Sequence, residues 1–272
     1  MGWLAYAPMP LAIEHVRRMR GGAQAHLMRC EDQSYYVVKF QNNPQHPRIL
    51  ANELLGTRLA VRLGLPAPVV SVVEVREDLI ASTEDLVIQL GRGRAPCKPG
   101  LQFGSQYPGD PAALVVHDFL PEGPLAEVEN LHDFAGMLVF DKWTCNTNGR
   151  QAIYFRPPGR ERYRAVMIDQ GFCFNAGDWD FPDAPLRGLY SRHLVYDSVR
   201  GIESFEPWLD RLLRITPEVL DELAAGIPPE WYNFEPGDLF RMLEHLDRRR
   251  ARVRELLLDA KNSIRQPFRK WT

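Results

Sequence analysis

A lysine set in an otherwise apolar strand, Val37-Val38-Lys39-Phe40, constrains this chain more than any other single feature. An ammonium drawn into an apolar layer without a partner costs several kcal/mol. A fold that buries Lys39 must therefore bring a carboxylate to it, whereas a lysine at a strand end facing solvent needs none. The predicted helix that follows carries Glu53 among Leu50, Leu54 and Leu55. Alone, Glu53 reads as a surface residue; with Lys39, it is the partner that burial demands.

Alternation and β-branched residues predict strands over 11–19, 25–30 and 35–40, the last two a hairpin about Glu31-Asp32-Gln33, with a turn at Arg20-Gly21-Gly22. Leu50, Leu54, Leu55, Leu59 and Val61 predict a helix over 49–63 that ends at Gly64. Strands are expected over 69–75 and 86–90. Residues 95–111, rich in Gly and Pro, read as a loop, and the apolar run 112–120 as a buried strand. After Pro121-Glu122-Gly123-Pro124 the pattern changes to a helix over 131–143, a hairpin of 151–156 with 163–168, and a helical remainder from about 203. The last helix is expected to run unbroken over 236–262, with Arg248-Arg249-Arg250 as a solvated face. Trp143, Trp179 and Phe181 read as core or cleft packing. No repeat or low-complexity segment appears. The fold class expected is α+β, a β-rich part with one main helix over 1–122 followed by a mostly helical part over 123–272.

A length of 272 residues suits one large domain or two parts sharing an interface. The formal charge of −2 makes no case for nucleic acid or an anionic membrane, and no stretch approaches the ~18 apolar residues of a membrane span. Cys30, Cys97, Cys145 and Cys173 form no C-x-x-C pair and read as reduced, buried thiols rather than a zinc site or a disulfide framework. The N-terminus lacks a signal-peptide pattern, and Tyr6 stands where a myristoylated start would have Ser or Thr. A cytoplasmic location is the expectation. An apolar stripe on the last helix would serve core and subunit interface alike, so the oligomeric state stays open.

Four features follow one another in a chemically suggestive order. Gly21-Gly22-Ala23-Gln24-Ala25-His26 is a turn between strands where backbone N–H groups can approach a phosphate, although most such turns are only turns. Lys39 and Glu53 match the strand-lysine, helix-glutamate pair that positions phosphates in kinases. In Ile168-Asp169-Gln170-Gly171 a carboxylate follows a strand, suited to a magnesium ion on ATP phosphates and equally to a plain Asp-x-Gly turn.

With His117-Asp118-Phe119-Leu120 and Asn146-Thr147-Asn148-Gly149, these segments make the chain resemble the HipA-like kinases, relatives of the protein kinases and phosphatidylinositol kinases, over nearly its whole length. The resemblance implies a two-lobed, protein-kinase-like fold with ATP and Mg²⁺ in the cleft. Gly21, Gly22 and Lys39 would hold phosphates, Glu53 would orient Lys39, and Asp169 would bind the metal. The adenine would lie on the backbone near Asp118, Phe119 and Leu120. The acceptor would be a protein or small-molecule hydroxyl.

The sequence also departs from the family. Its catalytic loop resembles Asn-Thr-Asp-Gly-His with an asparagine five residues after the aspartate; here Asn148 takes the aspartate position, Arg150 follows, and Ile153 takes the asparagine position. An amide accepts no proton, and a general base is worth ~10²–10⁴ in rate. Gln151, on the same strand face as Ile153, is a replacement metal ligand, and Asp141, five residues before Asn146, is an alternative base. Arg150 reads equally as a phosphate or carboxylate partner and as a solvated loop residue. A nucleotide-binding pseudokinase acting as a regulatory or interaction module is the competing expectation, and transfer of a nucleotide instead of the γ-phosphoryl group a third.

Overall fold

Alternating residues near the start of the chain build the first layer. The computed structural model describes residues 9–271; the Met1-Gly2 start and Tyr6 lie outside the described residues. Strands β1 (Ala12–Arg18), β2 (His26–Cys30) and β3 (Tyr35–Lys39) pair antiparallel, and helix α1 (Ile49–Arg62) follows. Then come β4 (Val70–Val75), α2 (Glu77–Ser82), a small hairpin of β5 (Val87–Leu90) and β6 (Gly93–Pro96), and β7 (Gly100–Gln106). The main sheet has the order β1-β2-β3-β7-β4, every neighbour antiparallel. It curls back on itself: Leu11 bridges to Glu74, and the Glu74 amide donates to the Pro10 carbonyl at 2.9 Å. Met28, Val38, Phe40, Val73 and Val75 fill its interior, closed by Ile80 of α2 and Ile88 of β5.

The segment 95–111, expected as a loop, contains β7, a strand with a neighbour on each side. One of its glycines serves packing. A Cβ on Gly104 would stand 2.3 Å from Val73 Cγ2 and 3.2 Å from Tyr36 Cδ1, so only glycine lets β7 pass between β3 and β4. The strand expected over 112–120 is absent. The Asp110 carbonyl takes the Ala113 and Leu114 amides in a turn, His117 makes an isolated β-bridge to Tyr154, and Val115 and Phe119 are exposed.

The second half holds α3 (Glu122–Ala126), α4 (Asp133–Trp143), the hairpin β8 (Gln151–Phe155) with β9 (Arg164–Ile168), then α5 (Trp208–Leu213), α6 (Pro217–Ala224), α7 (Pro236–Arg249) and α8 (Val253–Lys261). Every residue of α4 after Asp133 is buried, which is why its apolar residues spread around the whole helix. Trp143 and Trp179 lie in this core, with Phe181 packed on it. The long final helix expected from the pattern is broken by a 3₁₀ turn at Arg250–Arg252. There Arg249 turns inward, donating to the carbonyls of Lys142 at 2.9 Å and Phe181 at 3.0 Å and to Asp183 at 2.8 Å, so the arginine run is not one solvated face. The result is a mixed α/β fold, an antiparallel sheet joined to a body of helices. All four cysteines are buried and free. Among the described residues no helix is long and apolar enough to cross a membrane.

Candidate functional site

The two-residue alternation of β3 sends Val38 into the sheet interior and Val37 and Lys39 to the opposite face. That face borders a cleft of about 310 Å³. Lys39 is 8% exposed, and its ammonium sits between two carboxylates, bonded to Glu53 of α1 and, at 2.8 Å, to Asp169. Burial alone would lower the lysine's pKa; the Glu53 and Asp169 charges outweigh it and hold Lys39 above its ordinary range. Burial likewise pushes the Asp169 carboxyl up, and the Lys39 ammonium more than reverses it, leaving Asp169 below the usual carboxylate range.

Glu53 is fixed by more than Lys39. Its two oxygens accept the backbone amides of Gln170 at 3.0 Å and Gly171 at 2.9 Å. With three donors on two oxygens we assign it the ionised form. A Cβ on Gly171 would lie 2.6 Å from Ile49 Cγ1 and 3.1 Å from Glu53 Oε1, so the glycine two residues after Asp169 lets α1 close on this loop. Beside Glu53, Asn52 donates to the carbonyls of Gly171, Cys173 and Ala176 at 2.7–2.9 Å and accepts from Trp179 Nε1 at 2.7 Å. Asn52 is not among the residues expected at the site, although a polar residue on an apolar helix face carries the same signal as Lys39.

Gly21, Gly22, Lys39, Glu53, Asn148, Gln151 and Asp169 all line the cleft. The Gly21-Gly22 turn is closed by the Met19 amide on the Ala25 carbonyl at 2.8 Å. Gln151 Nε2 donates to Asp169 Oδ2 at 2.6 Å, and Ile153 faces the same space. Asn148 accepts its neighbour Gly149's amide at 2.9 Å. Asp118, Phe119 and Leu120 do not line the cleft. Phe119 is exposed beneath Arg192 and Leu120 is buried in the helical core, while Gln106, Tyr107, Pro108 and Val116 line the cleft. These residues enter the cleft from the end of β7, which the sequence pattern presents as a loop.

Asp141 is also outside the lining. It is 1% exposed, with Arg150 and Asn146 on its oxygens, so it offers no free carboxylate to the cleft. Arg150, open between two readings in the sequence, is a buried carboxylate partner. Burial would lower its pKa, and the Asp141 charge raises it above the ordinary arginine range.

A lysine on the third strand of an antiparallel sheet, paired to a helix glutamate and facing an aspartate-glycine loop across a cleft, defines a kinase-like protein. Sequence comparison makes the class specific: the profile of the HipA-like kinases matches residues 12–178, and the chain belongs to that family. Among solved structures, the Helicobacter pylori proinflammatory kinase CtkA superposes with a TM-score of 0.54 at 13% identity, over 93% of this chain and 99% of that one. The Golgi casein kinase gives 0.53 at 15% identity, over 94% and 75%. A second structure of that kinase, with Mn/ADP bound, gives 0.52 at 12% identity, over 93% and 72%. These likenesses concern the fold. No curated protein matches the chain.

Proposed function

We propose that the chain is an ATP-binding phosphotransferase of the HipA-like kind, with residues 1–122 and 123–272 acting as two lobes around the nucleotide. The observation that carries this reading is the Lys39 ammonium held between Glu53 and Asp169 beneath the Gly21-Gly22 turn. Lys39 and the turn's backbone would hold phosphates, Glu53 would keep Lys39 aimed, and Gln106–Pro108 with Val116 would flank the base.

A divalent ion fits the donor set in one way. Among the described residues no group of three or more His, Cys, Asp or Glu side chains forms a metal cage. Mg²⁺, however, is commonly bound by one or two carboxylates together with substrate phosphates. Asp169 supplies such a carboxylate at the cleft, and Gln151, already on Asp169, is the nearest amide; Ile153 contributes nothing. Bound there, the ion would neutralise charge on the phosphates. Asn148 lines the acceptor side as a hydrogen-bonding group and not as a base. Phosphoryl transfer leans mainly on positioning and charge, so turnover without a base is slow rather than forbidden.

A second reading, a nucleotide-binding module without turnover, is favoured by one observation: among the described residues, apart from Asp169 and Glu53, both engaged by Lys39, no carboxylate lines the cleft. ATP labelled at the γ-phosphate separates the two, with Asp169→Ala as control. Label lost from ATP or transferred to protein, and abolished in the variant, supports the phosphotransferase. Nucleotide binding without turnover across a panel of protein and small-molecule hydroxyl acceptors selects the module.

A further inference from the structure

Arg150 has a role that neither the pairing of Lys39 nor the cleft lining requires. Its guanidinium is almost fully buried and uses every edge. Nε and Nη2 grip Asp141 at the end of α4, the former at 2.9 Å, while Nη1 donates to the Ile168 carbonyl and to Gln170 Oε1, each at 2.8 Å. Residues 168 and 170 flank Asp169. Asp169 itself has φ +64°, a conformation that non-glycine residues seldom adopt and that must be held from outside. Arg150 holds it from one side and Glu53, through the Gln170 and Gly171 amides, from the other.

The same carboxylate reaches the other loop. Asp141 Oδ1 accepts from Asn146 Nδ2 at 2.8 Å, and Asn146 Oδ1 accepts the Asn148 amide at 3.1 Å. The Thr147 amide donates to the Phe172 carbonyl at 3.1 Å, a second tie between the loops. One buried ion pair thus fixes residues 146–150 and residues 168–171 to a single helix end. Gln170 gives the arrangement away. Its Oε1 is turned to Arg150, and its buried Nε2 has no partner among the described residues, an unfavourable state that packing alone would not select. A lysine cannot substitute, since its three donors sit on one point and lack the planar fork.

We propose that Arg150 is a positioning residue that fixes the two loops relative to each other and so sets how strongly a divalent ion reinforces nucleotide binding at Asp169. The proposal rests on the nucleotide-binding reading above. Partners that orient a metal-binding side chain tune the affinity of the ion without touching it. A group that merely filled the core would affect nucleotide binding equally with and without metal.

The test is calorimetric binding of ADP to the full chain, in EDTA and in excess Mg²⁺. Three variants are compared: Arg150→Lys, Gln170→Met, and the double Asp141→Leu/Arg150→Met, which removes both buried charges together and so leaves neither unpaired. In the wild type Mg²⁺ tightens ADP binding. In each variant that folds, affinity in EDTA stays within about twofold, while the Mg²⁺-dependent gain falls about tenfold or more, as for other supports of a metal ligand. Variants that keep the wild-type gain, or lose affinity equally in both arms, overturn the proposal. So does a wild type that binds ADP with no Mg²⁺ gain, which leaves nucleotide binding itself standing. A wild type that binds no ADP in either arm overturns the nucleotide reading instead.

Discussion

At position 148 an amide lines the cleft where a proton acceptor would serve, and the nearest alternative, Asp141, is sealed in by Arg150 and Asn146. Asn148→Asp restores a carboxylate without a change of shape. It is expected to raise transfer from γ-labelled ATP by ~10²-fold, the lower end of what a general base contributes. An unchanged rate would show that proton removal does not limit the reaction. His26 makes a separate claim at the same scale. It is fully buried, with its ring 3.1 Å from His15 Nε2 and edge-on to Phe40. Burial first, then the His15 and Arg18 charges, lower its pKa from 6.5 to about 4. The folded chain therefore takes up this proton less readily than the unfolded one. Stability from neutral His26 is complete above pH 6.5 and lost as pH falls toward 4, up to about 3 kcal/mol. Urea unfolding at pH 7 and pH 4.5 should show a smaller pH effect in His26→Phe than in the wild type.

Helix α4 meets α5 at a glycine. A Cβ on Gly136 would stand 2.3 Å from Trp208 Cε2, so the indole packs directly on the α4 backbone. Gly136→Ala gains about 1 kcal/mol of helix propensity, but displacing Trp208 costs about 1–3 kcal/mol. The expected outcome is a lower thermal midpoint; a midpoint that rises would mean that Trp208 moves aside without strain. Elements whose residues answer to one demand were legible in the sequence. The alternation of β1 to β3, the helical spacing of α1 and α4, and the hairpin of β8 with β9 each reflect burial on one side or throughout. Elements whose residues answer to a neighbour were not. Gly104 is a glycine because β3 and β4 crowd β7, and that is invisible without knowing the sheet order. Lys39, Glu53, Asp169, Gly21 and Gly22 could be picked out by type and order. The wall at Gln106–Pro108 and the ties made by Asn52 and Arg150 could not, because each depends on which segments meet.

At the scale of the molecule, the apolar side chains of the described residues form two cores. One is the sheet interior; the other runs from Ile49, Leu50 and Leu54 of α1 through α4 to Leu257 of α8. The cleft lies along their border, lined by residues of the sheet and of the helical side together. A nucleotide bound there would touch both and stabilise the chain as one unit. At a concentration a hundredfold above Kd, Mg-ADP is expected to add about 2.7 kcal/mol. That raises the melting temperature by roughly 5–10 °C. Lys39→Ala and Asp169→Ala should each shrink the rise, and no rise at millimolar Mg-ADP would count against this cleft as the nucleotide site.

Helix α1 packs on the sheet, through Lys39 and Phe103, but it is tied equally to the second half of the chain. Glu53 and Asn52 tie it to residues 170–176, and Arg58 donates to the Leu223 and Ala225 carbonyls at 2.9 and 2.8 Å. Cooperative opening follows such attachments rather than chain order. In hydrogen exchange the α1 amides should therefore exchange at the pace of α4, not of β1 to β3, although residues 12–39 lie nearer to α1 along the chain. The unit expected to open last is then one assembled from both halves of the sequence, with Lys39 reaching across its boundary to its charge partner.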